Sequence, residues 1–251
     1  MSPRKHLEEI DLRGHACQVY EPAQGNPHGW SLIFLHDVDA AGLEGRGAYL
    51  EQFARHGLPC IAPKTGRSWW TERIWPGFDA TLSAEQYVMD HVLSYAAERW
   101  GCRPPQIAVL GIGMGGQGAL RLSFKYPSRL PIAAAVSPAI DFQLAYYDED
   151  ELALPAIYAE PEAARQDTAT LHVHPLNWPR NIYFACDPAD DRWFASAERL
   201  KMKLSALGIP HDADMETTAQ GRAIVYSELM AGKALDYVVG RLERERLRVA
   251  P

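Results

Sequence analysis

Few residues in this chain could attack a substrate, ligate a metal or cradle a phosphate. From Val109 to Leu120 the sequence reads Val-Leu-Gly-Ile-Gly-Met-Gly-Gly-Gln-Gly-Ala-Leu, an apolar run, a glycine-rich turn and a helical stretch. Its Gly111-x-Gly113-x-x-Gly116 spacing satisfies the dinucleotide fingerprint, in which main-chain N–H groups at a helix start hold a pyrophosphate. That motif expects an acid at the end of the following strand. Here Ile132 to Val136 ends in Ser137-Pro138, and Asp141 comes several residues late. About four strands also precede the turn, whereas the fingerprint usually opens a domain. No nucleotide or other cofactor is therefore expected. His172-x-His174 on an extended run would turn both rings to one face, as a metal pair requires, but no third ligand can be named and no metal is expected. Ser137 at a strand end could be a nucleophile, and His36, His172 or His174 could lie near it, yet the sequence places no histidine beside it. Asp187, Asp190 and Asp191 follow a strand, on a helix-preceding loop that suits solvated carboxylates.

These residues must be held by a frame that the apolar pattern outlines. A hairpin is expected over Leu7 to Leu12 and Ala16 to Tyr20, turning at Gly14. Buried strands follow at Trp30 to Leu35, Pro59 to Ala62, Ile107 to Leu110, Ile132 to Val136, Asn181 to Ala185 and His211 to Thr217. Helices lie between them. One is capped by Ser83 with Gln86 three residues on, others run over Gly118 to Tyr126 and Trp193 to Leu207, and the last over Val225 to Arg248. Continuously apolar strands alternating with helices predict an α/β fold, a mostly parallel sheet covered on both faces. Asp141 to Pro179, with its acidic run Asp148-Glu149-Asp150-Glu151, breaks the alternation. The expectation is one domain over residues 1–251, with 141–179 as an excursion over the carboxyl edge of the sheet.

Composition narrows the class. The chain has 251 residues, 47% hydrophobic and 23% charged, enough for a full core, so disorder is excluded. A formal charge of -7 and an arginine-rich tail interrupted by glutamates argue against a nucleic-acid partner. The polar start Met1 to Glu9 carries no signal-peptide pattern, and the longest apolar runs are of strand length. No membrane association and a cytoplasmic location are expected. Cys17, Cys60, Cys102 and Cys186 are scattered, which suits four reduced, packed thiols.

The Gly111 to Leu120 stretch resembles the G-x-S-x-G nucleophile elbow of α/β-hydrolases, and within them the esterase D and S-formylglutathione hydrolase type, whose elbow continues Met-Gly-Gly-x-Gly-Ala-Leu. Leu35-His36-Asp37 resembles the family's Leu-His-Gly-like loop. Ala133 to Pro138 followed by Asp141-Phe142 resembles the strand and loop after the elbow helix, and Cys186-Asp187-Pro188-Ala189-Asp190 the strand end bearing the triad acid. The resemblance implies an α/β-hydrolase fold and esterase chemistry, with Asp190 or Asp187 as the acid.

Two triad positions depart from that pattern. Gly113 stands where the family carries serine; glycine keeps the strained turn and supplies no attacking atom. Where the family shows Gly-Gly-His, the chain reads Thr217-Thr218-Ala219-Gln220-Gly221-Arg222. Arg222 then takes the histidine's place, with Gln220 as the alternative, and an arginine cannot be a general base. Of nine histidines only His211 follows Asp190, and it precedes the last strand. A vestigial triad of Gly113, Asp190 and Arg222 predicts a degenerate esterase that binds a ligand or a protein partner; the alternative is an ester or thioester hydrolase with a non-standard site. The N–H of Met114 and that of Asp37 or Val38 should still form an oxyanion-type hole, which with Arg222 would favour a small carboxylate or acyl ligand. Trp69, Trp70, Trp75 and Phe78 could line a pocket, face a partner or pack a loop.

Overall fold

The computed structural model describes residues 6–149 and 152–249. Part of the N-terminal segment, Met1 to Lys5, and Asp150-Glu151 of the acidic run therefore lie outside the described residues. Among the described residues eight strands form one sheet, in the order β1-β2-β4-β3-β5-β6-β7-β8. The hairpin β1 (Leu7–Leu12) and β2 (His15–Tyr20) is antiparallel, and β2 runs antiparallel to β4 (Cys60–Pro63). From β4 onward, β3 (Ser31–Leu35), β5 (Ile107–Ile112), β6 (Ile132–Val136), β7 (Asn181–Ala185) and β8 (Asp212–Asp214) are parallel. This is the α/β-hydrolase architecture.

Strand alternation sends successive side chains to opposite layers. Leu32 and Phe34 of β3, with Leu110 and Ile112 of β5, meet α1 (Gly47–His56) and α9 (Ala223–Val249) through Leu50, Phe53, Tyr226 and Met230. Ile33, Leu35 and Val109 face the other layer. There Ser83 and Gln86 close the expected capping box on α2 (Ala84–Gln86), which runs through a wide turn at Tyr87–Val92 into α3 (Leu93–Trp100). α4 (Met114–Lys125) shares that layer and adds Leu120 and Phe124 to a third cluster with Leu200 and Leu204 of α8 (Phe194–Ala206).

α4 begins at Met114, four residues before the Gly118 start that helix propensity suggests, because the glycines lie inside its first turns rather than before them. β8 takes up only three residues of the expected His211 to Thr217 and is exposed to half-buried rather than buried. Asp141 to Pro179 is more ordered than its pattern implies, forming α5 (Phe142–Tyr146), α6 (Ala153–Ile157), α7 (Pro161–Gln166) and a tight turn at Ala169–His172. The four cysteines are buried free thiols. Among the described residues no helix is long and apolar enough to cross a membrane.

Candidate functional site

The turn that ends β5 is built by close backbone approach. A Cβ on Gly111 would lie 2.0 Å from the Gly115 carbonyl oxygen, and one on Gly115 would lie 2.0 Å from the Leu35 carbonyl oxygen, so neither position tolerates a side chain. Gly113 sits at φ 54° and ψ -117°, a conformation costly for any L residue. Its N–H donates to Val136 O at 2.9 Å, and its carbonyl accepts from Gln117 N–H at 3.1 Å and Ala139 N–H at 3.0 Å. The elbow is thus complete as backbone, at the carboxyl ends of β3, β5 and β6.

The space a nucleophile would occupy is filled from the opposite loop. Asp37, just after β3, turns its carboxylate over Gly113, and Oδ1 accepts from Val38 N–H and Met114 N–H, both at 2.8 Å. A Cβ built on Gly113 would stand 2.2 Å from Asp37 Oδ1 and 2.3 Å from Oδ2. The expected pair of donors therefore exists, but it holds an internal carboxylate. Burial pushes the Asp37 carboxyl above its usual range, and the two N–H donors offset that only in part. His36 fixes the loop beneath. Its Nε2 accepts from Thr65 N–H at 3.0 Å, so Nδ1 carries the proton and donates to Asp37 O at 2.7 Å. Burial holds His36 neutral by lowering its pKa. It is a structural histidine.

At the other end of the site, β7 delivers Asp187 to the loop where a triad histidine would stand. The loop itself uses the carboxylate: Asp187 accepts from Thr218 Oγ1 at 2.7 Å, Ala219 N–H at 2.8 Å, Gly221 N–H at 3.1 Å and Ala189 N–H at 2.9 Å. Burial raises its pKa, but these donors outweigh it and the net shift is downward. Asp190 behaves differently, with Oδ1 receiving Arg192 N–H at 3.0 Å and Trp193 N–H at 2.9 Å at the start of α8. Asp187 faces the 217–222 loop, and Asp190 faces the cavity over Gly113. Arg222 does not stand beside the donors as its place in sequence suggests. It is exposed, its Nε donates to Ala219 O at 3.0 Å, and the cavity wall is made by its neighbours Gly221 and Ala223. Gln220 is exposed too.

Two adjoining cavities open here. A small one of about 80 Å³ lies over Gly113 and Ser137, with Arg46 in its wall. A wider one of about 310 Å³ is walled by Trp69, Trp193, Arg67 and Arg192. Asp37 and Asp190 line both. Ser137 adopts φ 45°, strained for a residue with a side chain, at the end of β6.

The remaining candidates lie elsewhere. His172 ends a tight helical turn rather than lying on an extended run, and its Nε2 is 2.9 Å from both Asp167 Oδ1 and Arg121 Nη1. His174 Nδ1 accepts from Leu176 N–H. The two rings serve different partners, and among the described residues no cluster of three or more His, Cys, Asp or Glu could hold a metal. His211 stacks on Phe184 at the amino end of β8. Trp70 packs on α4 at Gly118 and donates its indole N–H to His36 O, while Trp69 meets Phe142 edge to face. Trp70 is thus core, and Trp69 both core and cavity wall. A dinucleotide could not use the start of α4, since Met114 N–H is already committed to Asp37. Sequence reasoning counted the Asp37 backbone and missed its side chain; the signal was an aspartate at the glycine position of the Leu-His-Gly-like loop.

Residues 46–213 match the Esterase family model, described as "Putative esterase". No curated protein matches the sequence. Similar solved structures include the fluorophosphonate-binding serine hydrolase FphF of Staphylococcus aureus, with TM-score 0.74 and 14% identity over 93% of this chain and 96% of that one. An S-formylglutathione hydrolase from Agrobacterium tumefaciens gives TM-score 0.74 and 14% identity over 94% of each chain. MPT51 (FbpC1) of Mycobacterium tuberculosis gives TM-score 0.69 and 16% identity over 92% of this chain and 98% of that one. With two thirds of its length matched and the strand order of the fold complete, the chain belongs to the esterase family of α/β-hydrolases.

Proposed function

We propose that this chain is a non-hydrolytic member of its family, which keeps the elbow cavity as a binding site for a small ligand or a protein partner. The observation that carries the reading is the Asp37 carboxylate, which occupies both the place of a nucleophile's side chain and the two donors that would stabilise an oxyanion. Gly113 offers nothing to acylate, and the 217–222 loop carries no imidazole to accept a proton. The small-carboxylate ligand implied by free donors loses its support, because those donors are taken.

The test is covalent labelling. A fluorophosphonate probe should leave the intact mass unchanged, and turnover of p-nitrophenyl acetate and S-formylglutathione should stay at the level of heat-denatured protein. A second reading, hydrolysis through a non-standard nucleophile, draws on the strained Ser137 in the cavity wall. Stoichiometric labelling that maps to Ser137 and vanishes in Ser137→Ala would establish it and reject the first.

A further inference from the structure

We propose that the cavity over Gly113 takes a small organic cation, a primary ammonium carrying a hydrogen-bond acceptor a few bonds away, as in an amino alcohol or amino amide. The inference rests on the non-hydrolytic reading. In a working esterase site the elbow presents donors to an oxygen of the substrate; here Asp37 has consumed them and reversed the polarity. Asp37 Oδ1 accepts both N–H groups, and Oδ2 has no hydrogen bond among the described residues. Asp190 repeats the arrangement, with Oδ1 spent on Arg192 and Trp193 and Oδ2 without a donor among the described residues. Both residues line both cavities, so two carboxylates border the adjoining spaces.

Two of the cations in that wall pair with other carboxylates. Arg46 donates to Asp39 at 3.1 Å, and Arg192 pairs with Asp148. Arg192 also lies 4.6 Å over the Trp193 ring, which demonstrates that this wall accommodates a cation against an aromatic face. A second, independent feature supplies the acceptor requirement. Trp69, only 1% exposed, lines the wider cavity with its indole N–H buried and unpartnered among the described residues. Arg46, 5% exposed, leaves its Nε likewise in the wall of the smaller one. Buried polar groups normally find partners, and two acceptors common to both adjoining cavities, with one donor in the wall of each, describe a ligand bearing both kinds.

Calorimetric titration of the full chain with ethanolamine and glycinamide tests this, against glycolate and acetamide as anionic and neutral counterparts. The expected result is saturable binding of the two amines at least tenfold tighter than either control. Asp37→Asn and Asp190→Asn, which keep the Oδ1 acceptor, should each weaken the amines tenfold or more with unchanged circular dichroism. Glycolate binding as tightly as ethanolamine, no binding of either amine, or amine affinity unaffected by both variants would overturn the inference. Fluorophosphonate labelling run alongside separates the failures: labelled protein rejects the non-hydrolytic reading, whereas unlabelled protein without amine binding rejects the ligand class alone.

Discussion

The elbow and the 217–222 loop use the same device with different results: at each, a carboxylate turns inward onto main-chain N–H groups. Asp37 receives two donors, too few to balance its burial, and its pKa is raised. Asp187 receives three N–H groups and a hydroxyl, and its pKa is lowered although it too is buried. Heavier desolvation and fewer donors together push Asp37 up, while four donors bring Asp187 down. The carboxylate at the elbow is a tolerated charge with an oxygen to spare, whereas the one at the loop is a structural pin.

The largest test of that contrast removes the pin. Asp187→Ala leaves Ala189, Ala219, Gly221 and the Thr218 hydroxyl without their acceptor and should cost about 3 kcal/mol of stability in urea unfolding. Amide exchange should accelerate first at Ala219 and Gly221. A loss below about 1 kcal/mol would mean that the loop holds without Asp187.

Next comes Gly113→Ser. A new Cβ would collide with the Asp37 carboxylate in an already strained turn, so the variant should lose about 1–3 kcal/mol and hydrolyse no p-nitrophenyl acetate. Adding Arg222→His does not remove the obstacle, since the donors remain filled. Asp37→Gly in the same chain should recover most of the lost stability. Stable, active Gly113→Ser protein with Asp37 in place would show that the carboxylate yields freely.

The opposite pKa shifts predict opposite pH responses. A raised folded pKa makes the Asp37 contribution full below the unfolded value of about 3.9 and lost as pH climbs through the folded value. The Asp187 contribution is full above about 3.9 and lost as pH falls through its lowered value. Asp37→Asn keeps the acceptor and sheds the charge, so it should gain up to about 1 kcal/mol at pH 7 and nothing at pH 3. Unfolding curves at both pH values check this; an equal effect at both would detach the shift from Asp37.

The frame was largely legible because strands buried on both faces are continuous apolar runs, and Ile107 to Gly116 announces strand, turn and helix by composition alone. Backbone-encoded function was legible for the same reason: glycine at 111 and 115 records a close approach that any side chain would block. Two things were not. The direction of the Asp37 side chain depends on a loop whose conformation His36 sets from beneath. The choice between Asp187 and Asp190 depends on which carboxylate meets a loop more than 25 residues downstream, which spacing cannot encode. Arg222 holds the histidine's place in the motif, yet it is exposed and its Nε turns back to Ala219 O.

That exposure sets the smallest expected effect. Arg222 is exposed and its side chain contributes one hydrogen bond, from Nε to Ala219 O, an acceptor that still receives the Arg222 backbone N–H at 3.3 Å when the side chain is removed. Arg222→Ala should therefore change stability by no more than about 0.5 kcal/mol in urea unfolding. The same loop that depends on Asp187 should be indifferent to the residue in the histidine's place, because the carboxylate takes its donors from the backbone and needs no side chain at 222. A loss near that of Asp187→Ala would reverse the assignment and make Arg222, with its carbonyl contact, the group that closes the loop.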